Sequence, residues 1–342
     1  MFEKPSPTSP KFFSTLRGLI LPPPPPRKPL IIAGNGPSIK NLDYSFFPPD
    51  FEVFRCNQFY FEDRYYLGNE VKACFFNPSV FELQMNTVRI LDGRNEYTLC
   101  DFYCSTLGPN PYINGKPTPI REFLDKRYIG IRTTHNMLEG LEPFQNLQAK
   151  FINLKGQWFT SGVVMLICAI ALGYQEIYLA GLDFYADGPG HFYANQSAFF
   201  KIHSDSSHNK DLDIEAIELA KQYAKLYALV PNSALSDILP LSLHKNALSA
   251  DTKERLKLGQ TKPEGYISDV ILPPHYVLEK SRKEVLKEFL DARGACSGNL
   301  VFESLRFVRR ACHDVYKFGW ACLALCKPKN FKLIFKRNKP TP

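Results

Sequence analysis

The sequence lacks any long run of apolar residues. The longest, Val163 to Leu172, has ten residues, whereas a helix that crosses a bilayer needs about 20. The first thirty residues also lack the charged start, continuous apolar core and small-residue cleavage site of a secretory leader. These absences argue against a membrane-spanning or secreted protein and predict a cytoplasmic one.

An excess of either charge is also lacking over most of the chain. Residues 1–300 carry 32 basic and 32 acidic side chains, and residues 301–342 carry ten basic and two acidic ones. The net charge of +8 therefore belongs to the tail. A fold built around nucleic acid is not expected. The predicted partner of the tail is an anionic membrane surface, and a solvated basic tail or one that contacts nucleic acid is the alternative.

The nine cysteines do not show the spacing of a known zinc finger. Their odd number in a long chain indicates a reduced protein. Cys322 and Cys326 lie one helical turn apart, with Cys312 and His313 nearby. A zinc cluster is one interpretation. Use as small apolar core residues is the other and the preferred one, so no metal site is predicted.

What the sequence does contain is a regular alternation of short apolar runs and helical stretches after Pro29. This alternation predicts an α/β fold, with a doubly wound, mostly parallel sheet in a single Rossmann-like nucleotide-binding domain that carries a lid subdomain. The apolar runs are LIIAG, FEVFRC, KACFFN, YTLCDFYC, KFINL and EIYLAG. A helix is predicted from Asp211 to Leu229.

Composition divides the chain into four segments. A Pro-rich flexible leader precedes the catalytic domain, and a loosely patterned extension and a basic amphipathic tail follow it. The boundaries are 1–28 for the leader, 29–240 for the domain with its lid at about 186–207, 241–300 for the extension and 301–342 for the tail.

The ends of the apolar runs predict where a ligand binds, because ligands of doubly wound sheets lie beyond the carboxyl ends of the strands. These positions carry neutral hydrogen-bonding side chains and almost no Lys or Arg, which suits hydroxyls, a base edge and a phosphate. They are Asn35, Ser38, Asn57, Gln58, Asn77, Ser79, Thr160, Ser161, Asp183 and Tyr185.

The first of these loops reads GNGPS. Gly34 and Gly36 would let the backbone approach a phosphate, and a plain strand-to-turn glycine pair is the alternative. Ile39 stands where the dinucleotide-binding fingerprint requires its third glycine, which argues against a nicotinamide cofactor.

The segment FTSGVVMLICAIALG predicts a fully buried helix. Thr160 and Ser161 lie at its start, where backbone N–H groups lack partners and the helix dipole is positive. They predict either an ordinary helix cap or a site for a phosphate or carboxylate.

Five segments then carry a resemblance to a known family. They read IIAGNGPSIKNLDYS, FEVFRCNQFYFEDRYYLG, FFNPSVF, TSGVVMLICAIALGYQEIYLAGLDFY and HNKDLDIEAI. Together, over roughly residues 29 to 235, they closely resemble the bacterial sialyltransferases of glycosyltransferase family 42. The resemblance implies an inverting, metal-independent transfer of sialic acid from CMP-sialic acid to a sugar hydroxyl, usually on terminal galactose or another sialic acid, with no cofactor.

The resemblance also implies roles for individual residues. Asn35 would bind the nucleotide phosphate, Asn57 the ribose and Asn77 the donor sugar. The carboxylate of sialic acid and the nucleotide would meet the start of the buried helix. The complete predicted binding set is Gly34, Asn35, Gly36, Ser38, Asn57, Gln58, Asn77, Thr160, Ser161, Gly162 and Asp183.

For the chemistry, the resemblance places the general base at His208. An imidazole titrates near pH 6.5, which suits proton removal from an attacking sugar hydroxyl. His203 and His191 are the rivals within the chain. Tyr185 and Tyr193 are predicted to stabilise the leaving phosphate, and His191 is the alternative to Tyr193.

Two features depart from the family pattern. Trp158 stands where relatives often carry an arginine, and its aromatic face could stack on galactose. The sequence DLD, Asp211 to Asp213, also matches the signature of metal-dependent glycosyltransferases. Because it opens a helix, where acidic residues are favoured, the metal interpretation is the alternative rather than the prediction.

The predicted function is sialyl transfer to a galactose or sialic acid on a lipooligosaccharide-type glycan. The acceptor is expected to be lipid-linked, and the enzyme is expected as a peripheral protein on the inner face of the bacterial cytoplasmic membrane. The sequence is compatible with a homo-oligomer, and with either α-2,3 or α-2,8 linkage in the product. The alternatives are a metal-dependent nucleotide-sugar transferase and a non-catalytic nucleotide-binding protein.

Overall fold

The computed structural model describes residues 27–78, 81–113, 116–128, 130–184, 191–193, 208–268, 270 and 300–325. Within the described residues, a seven-stranded sheet has the order β7-β4-β3-β2-β1-β8-β9, and all its pairs are parallel. Its strands are β1 (Leu30–Ala33), β2 (Glu52–Cys56), β3 (Glu70–Phe76), β4 (Thr98–Cys104), β7 (Arg132–Thr133), β8 (Glu176–Ala180) and β9 (Lys225–Ala228). A short antiparallel pair joins β5 (Tyr112–Ile113) to β6 (Lys116–Pro117).

Helices cover both faces of this sheet. They are α1 (Phe81–Gly93), α2 (Ile120–Arg127), α3 (His135–Glu139), α4 (Glu142–Lys155), α5 (Ser161–Ala171), α6 (Lys210–Ala220) and α7 (Ala250–Arg255). A further helix, α8 (Leu300–Leu325), belongs to a separate unit of the chain. Short 3₁₀ turns occupy Pro37–Asn41, Tyr44–Phe46 and Phe59–Phe61.

The alternation of side chains along β1 divides the core into two layers. Leu30 and Ile32 belong to one buried cluster and Ile31 and Ala33 to the other, as expected for successive residues of a strand. The apolar runs of β1 and β8 are nearly continuous because both faces of a parallel sheet are buried. The predicted fold class is confirmed.

Strand order reverses beside β1, since the chain runs from β1 toward β7 on one side and returns through β8 and β9 on the other. Such a reversal opens a crevice beyond the carboxyl ends of the strands. The loops after β1 and β8 lie at this crevice, together with the start of α5.

Two predicted elements are wrong. The run KFINL is not a strand but the last turns of α4, where Phe144, Gln148 and Phe151 are buried at helical spacing. The helix predicted from Asp211 to Leu229 ends at Ala220, and β9 follows because Lys225 to Ala228 pair with β8.

The compact unit that contains the sheet extends to Leu272, beyond the predicted boundary at 240. Leu248, Leu256, Leu258 and Ile267 are buried in the cluster that covers one face of the sheet. Apolar burial therefore makes the first part of the predicted extension a part of the catalytic unit.

The second unit, Pro273–Pro342, contains α8. None of the described helices has an apolar stretch long enough to cross a bilayer.

Candidate active site

The loop after β1 is held against the loop after β8. The N–H of Gly34 donates to the carbonyl of Ala180 at 2.9 Å, and that of Gly36 donates to the carbonyl of Gly181 at 2.8 Å. A Cβ on Gly34 would lie 2.3 Å from the Gly181 oxygen. Glycine is thus required for this close approach.

Asp183 shapes the same loop. Its carboxylate accepts from the backbone N–H of Ser38 at 2.8 Å and from the Ser38 hydroxyl. A Cβ on Gly36 would lie 2.3 Å from Asp183 Oδ2. Both carboxylate oxygens of Asp183 therefore hold the loop after β1.

Asn35 lies buried at the centre of the crevice. Its Nδ2 donates to the carbonyl of Cys56 at 3.0 Å. Its Oδ1 is buried and lacks a hydrogen-bond partner among the described residues, an arrangement that costs about 1–3 kcal/mol unless a ligand completes it. In this orientation the amide offers an acceptor, which suits a hydroxyl or amino group of a nucleotide better than its phosphate.

Asn57 joins the ends of three elements. Its backbone is left-handed, with φ of 49°, a conformation that asparagine tolerates better than most residues. Its Nδ2 donates to Ser161 Oγ at 3.1 Å, and its Oδ1 accepts from the backbone N–H of Asn77 at 3.1 Å. The structure thus brings Asn57, Asn77 and Ser161 together, and their binding of the donor stays a prediction.

The start of α5 does not use an ordinary side-chain cap, because Thr160 makes no capping hydrogen bond. Gly162 allows close packing there, since a Cβ would lie 2.7 Å from Leu182 Cγ. Ser161, the first residue of α5, contacts Asn57, so the positive end of the helix lies next to Asn57, a position that favours a bound anion.

The part of the predicted lid that is described, residues 191–193, docks on these loops. The N–H of Phe192 donates to the carbonyl of Asn35 at 3.0 Å, and the hydroxyl of Tyr193 donates to Gln58 Oε1 at 3.2 Å. Both aromatic side chains are buried. Tyr193 thus lies beside the predicted donor site, whereas Tyr185, Ser79 and His203 lie outside the described residues.

His208 lies on the segment that leads into α6. It pairs with Trp158 as an isolated parallel bridge, and its Nδ1 lies 3.2 Å from the Trp158 carbonyl oxygen. Because a carbonyl can only accept, Nδ1 carries the proton, and a neutral ring keeps its lone pair on Nε2. Asn209 then caps α6 by accepting from the N–H groups of Asp211 and Leu212.

Asp213 is a site residue whose role sequence reasoning missed. Its side chain is buried, and its Oδ1 accepts from the backbone N–H of Thr160 at 3.1 Å. Burial raises the pKa of this carboxyl to about 7. The contact ties α6, which follows His208, to the start of α5.

The same contact bears on the metal alternative. Asp213 is buried against Thr160, while Asp211 is exposed on α6, so the two carboxylates do not converge. The described residues contain no group of three or more His, Cys, Asp or Glu side chains arranged to hold a metal ion.

A buried ionic cluster, which the sequence analysis also did not predict, adjoins the loop that carries Asn57. Glu62 Oε2 pairs with Arg55 at 3.0 Å, and Glu62 Oε1 accepts from Tyr97 at 2.7 Å and lies 3.8 Å from Lys262 Nζ. Burial lowers the pKa of Lys262 to about 8. Arg55, inside the apolar run FEVFRC, was the one feature of the sequence that indicated this cluster, because a buried charge requires a partner.

The rings of three tyrosines surround the ammonium of Lys262. Its Nζ lies 4.3 Å from the ring centre of Tyr65, 4.0 Å from that of Tyr97 and 4.4 Å from that of Tyr266, distances at which a cation is attracted to the ring face. Since Lys262 follows α7, the cluster fastens the chain beyond residue 240 to the loop that carries Asn57 and Gln58.

Comparison with known proteins places this site in a family. The family model described as Alpha-2,3-sialyltransferase (CST-I) matches residues 28–294. An uncharacterized protein of Haemophilus influenzae is 31% identical over 200 residues, which cover 54% of this chain and 81% of that protein.

Solved structures agree. The monofunctional alpha-2,3-sialyltransferase Cst-I from Campylobacter jejuni is 32% identical with a TM-score of 0.62, and the match covers 82% of this chain and 98% of that chain. The sialyltransferase CstII from Campylobacter jejuni, in complex with the substrate analogue CMP-3FNeuAc, is 36% identical with a TM-score of 0.58 and coverages of 68% and 99%.

The family match spans most of the chain, and the structural matches reproduce its fold. The resemblance drawn from the five sequence segments is confirmed. The chain therefore belongs to the alpha-2,3-sialyltransferase (CST-I) family and is a glycosyltransferase.

Proposed function

We propose that this enzyme transfers sialic acid from CMP-sialic acid to a hydroxyl of a terminal galactose, or of another sialic acid, with inversion at the anomeric carbon. The single observation that carries the proposal is the contact of His208 Nδ1 with the Trp158 carbonyl. This contact fixes the tautomer in which Nε2 is the basic nitrogen, at a site lined with neutral hydrogen-bonding side chains that suit a nucleotide. Similar proteins support the donor, since CstII binds CMP-3FNeuAc and also binds a trisaccharide acceptor with CMP.

The donor would occupy the crevice between the loops after β1 and β2 and the start of α5. Asn35 Oδ1 is the buried acceptor for a donor group of the nucleotide. The first turn of α5 and Ser161 suit the carboxylate of sialic acid, because unpaired N–H groups and the helix dipole stabilise an anion there. Asn57 orders this wall through its contacts with Ser161 and Asn77.

His208 would act as general base. Nε2 would take the proton of the acceptor hydroxyl as its oxygen attacks the anomeric carbon, and the bond to the CMP phosphate would break on the opposite face. A single displacement of this kind inverts the anomeric carbon. The Trp158 carbonyl would hold the imidazole orientation and stabilise the imidazolium that forms, since Nδ1–H keeps its acceptor in both protonation states.

The leaving phosphate would be stabilised by hydroxyl donors, without a metal ion. Tyr193 is poised beside the donor loops, and it would exchange Gln58 Oε1 for a phosphate oxygen. Tyr185 is proposed as the second donor on the resemblance of the motif GLDFY. The Asp211 and Asp213 pair is not favoured as a metal site, because Asp213 is buried and already accepts from Thr160.

We also propose that α8 binds the inner face of the cytoplasmic membrane, where a lipid-linked glycan of the lipooligosaccharide type would be the acceptor. At 100° per residue, Leu305, Val308 and Val315 fall along one stripe of α8. Arg310, His313 and Lys317 fall on another side, and Arg309 lies between the two. These apolar side chains are exposed. A basic amphipathic helix of this type lies in the interface of anionic membranes, and each cation adds about 1 kcal/mol.

The test of the catalytic proposal is incubation with CMP-sialic acid and a panel of labelled galactosides and sialyl-galactosides, with product mass, linkage and anomeric configuration determined. An α-linked sialyl product from the β-linked donor is expected. Products from UDP-sugars instead, or a retained configuration, would contradict the proposal.

The membrane proposal has a separate test. Deletion of residues 301–342 should abolish sedimentation with vesicles that contain anionic lipid, while turnover of a soluble galactoside stays nearly unchanged. The full chain on vesicles of neutral lipid is the control. Continued binding of the truncated protein to anionic vesicles would show that α8 is not the anchor.

A further inference from the structure

Trp158 presents an aromatic surface to solvent next to the proposed base. It is 40% exposed. Among the aromatic residues whose exposure the structure describes between residues 27 and 270, it alone is exposed. Trp is highly buried on average, so the exposed part of this indole is an apolar surface available to a ligand.

The local backbone explains why this side chain faces outward. Phe159 is 3% exposed and packs in the core layer that contains α5. Thr160 is extended, with φ of −68° and ψ of 160°. Neighbouring residues of an extended segment point to opposite sides, so the burial of Phe159 directs Trp158 away from the core.

The position of Trp158 relative to the base and the donor site is also set. Its carbonyl oxygen lies 3.2 Å from His208 Nδ1. It precedes Ser161 by three residues, which span at most about 10 Å in an extended chain, and Ser161 contacts Asn57 at the donor site. His208 and Trp158 thus lie together at one end of the site, within the length of one or two sugar rings from Ser161.

From this arrangement we infer that Trp158 is the platform on which the acceptor sugar stacks, and that it selects a neutral terminal hexose with an apolar face, of the galactose type. The inference rests on the proposed role of His208 as base. In galactose the C–H groups of carbons 3, 4 and 5 lie on one face of the ring, opposite the axial hydroxyl. That face carries slightly positive hydrogens, which suit the negative face of an indole.

A neutral acceptor is favoured over a sialylated one by the same chemistry. An indole offers a single N–H donor and no positive charge, so it gives no compensation for the carboxylate of a terminal sialic acid. The residues adjacent to Trp158, Gln157 and Phe159, are neutral as well.

The first test compares Trp158→Ala, Trp158→Phe and the parent enzyme with lactose as acceptor. Loss of an aromatic stacking contact is expected to raise the acceptor KM roughly 10-fold in Trp158→Ala. The KM for CMP-sialic acid should change less than the acceptor KM does. Trp158→Phe should recover most of the loss. The matched control is Leu154→Ala on α4, which removes a side chain that is 76% exposed and should leave every constant unchanged.

A second measurement needs no turnover. The chain has two tryptophans, so Trp320→Phe leaves Trp158 as the sole indole. With CMP bound, addition of lactose should shift or quench its emission, while maltose and 3′-sialyllactose should not. If lactose changes the emission but no sialyl product forms with any acceptor, the proposed reaction fails and the platform stands.

Two results would overturn the inference. The first is an unchanged acceptor KM in Trp158→Ala together with an emission that does not respond to lactose. The second is a response to 3′-sialyllactose with none to lactose, which would show that the platform does not select a neutral hexose.

Discussion

Replacement of Asp213 by asparagine should make the protein more stable at neutral and alkaline pH. The ordinary pKa of an aspartate is 3.8, and burial raises that of Asp213 to about 7. At a pH between these two pKa values, the folded protein holds a proton that the unfolded chain has released. Stability therefore falls as the pH rises from about 4 to about 7, and the full cost of the buried charge is present above pH 7.

The magnitude follows from these two pKa values. Each tenfold difference in proton affinity is worth about 1.4 kcal/mol, so ionised Asp213 lowers the free energy of unfolding by about 4 kcal/mol above pH 7. Asparagine retains Oδ1, which can still accept from the Thr160 N–H, and it carries no charge. Its buried NH₂ group costs about 1–3 kcal/mol if it finds no acceptor, and this cost is the same at every pH.

The quantity to measure is therefore the pH dependence of the difference in free energy of unfolding between Asp213→Asn and the parent. Urea unfolding of the parent and of Asp213→Asn at pH 5 and pH 8 should show that the advantage of the variant grows by about 3 kcal/mol between the two. Asp211→Asn, which changes an exposed carboxylate on the same helix, is the control for loss of charge. Growth of less than about 1 kcal/mol, or a change of the opposite sign, would refute the claim that Asp213 is a costly buried carboxylate.

Three further predictions concern the supporting cluster, the base and the metal. Glu62→Gln leaves Arg55 and Lys262 as buried cations without their carboxylate, and the free energy of unfolding should fall by about 3–5 kcal/mol. The control, Glu70→Gln, breaks a half-exposed pair with Arg255 and should lower the free energy of unfolding by less than about 1 kcal/mol. Equal effects of the two variants would contradict the role of the cluster. His208→Ala should lower kcat for transfer by about 10²–10⁴-fold, while CMP still raises the Tm of the variant; a variant with near-parental kcat would remove His208 from the mechanism. Transfer should continue in excess EDTA at the parental rate, and a loss restored by Mn²⁺ would establish a metal-dependent reaction instead.

The sequence by itself determined the fold class and the family. The strands β1, β2, β3 and β8 can be recognised because a parallel sheet that is buried on both faces favours apolar side chains along most of each strand. The glycines at 34 and 36 and the TSG segment are legible because a tight turn and a close helix start admit few residue types. These local requirements constrain short stretches of sequence, so the resemblance to sialyltransferases can be recognised without knowledge of the tertiary contacts.

Element boundaries were decided by packing. The segment from Asp211 onward has a helical pattern past Ala220, but Lys225 to Ala228 gain strand hydrogen bonds and a buried face beside β8, and this outweighs local propensity. KFINL has strand-like composition, but its Phe151 is buried on the face of α4 that also buries Phe144. The strand that pairs with β9 is β8, which lies far from it in the chain.

Only the tertiary structure decided which polar residues lie together and which hydrogen-bond partners they take. Asp213 reaches Thr160 across 53 positions, His208 reaches the Trp158 carbonyl across 50 and Tyr97 meets Lys262 across 165. The sequence of Asp211 to Asp213 reads as a metal motif, yet Asp213 is turned inward and takes a backbone partner. Burial and hydrogen bonding set the pKa, the tautomer and the accessible face of such groups, and those properties depend on neighbours that a linear sequence does not reveal.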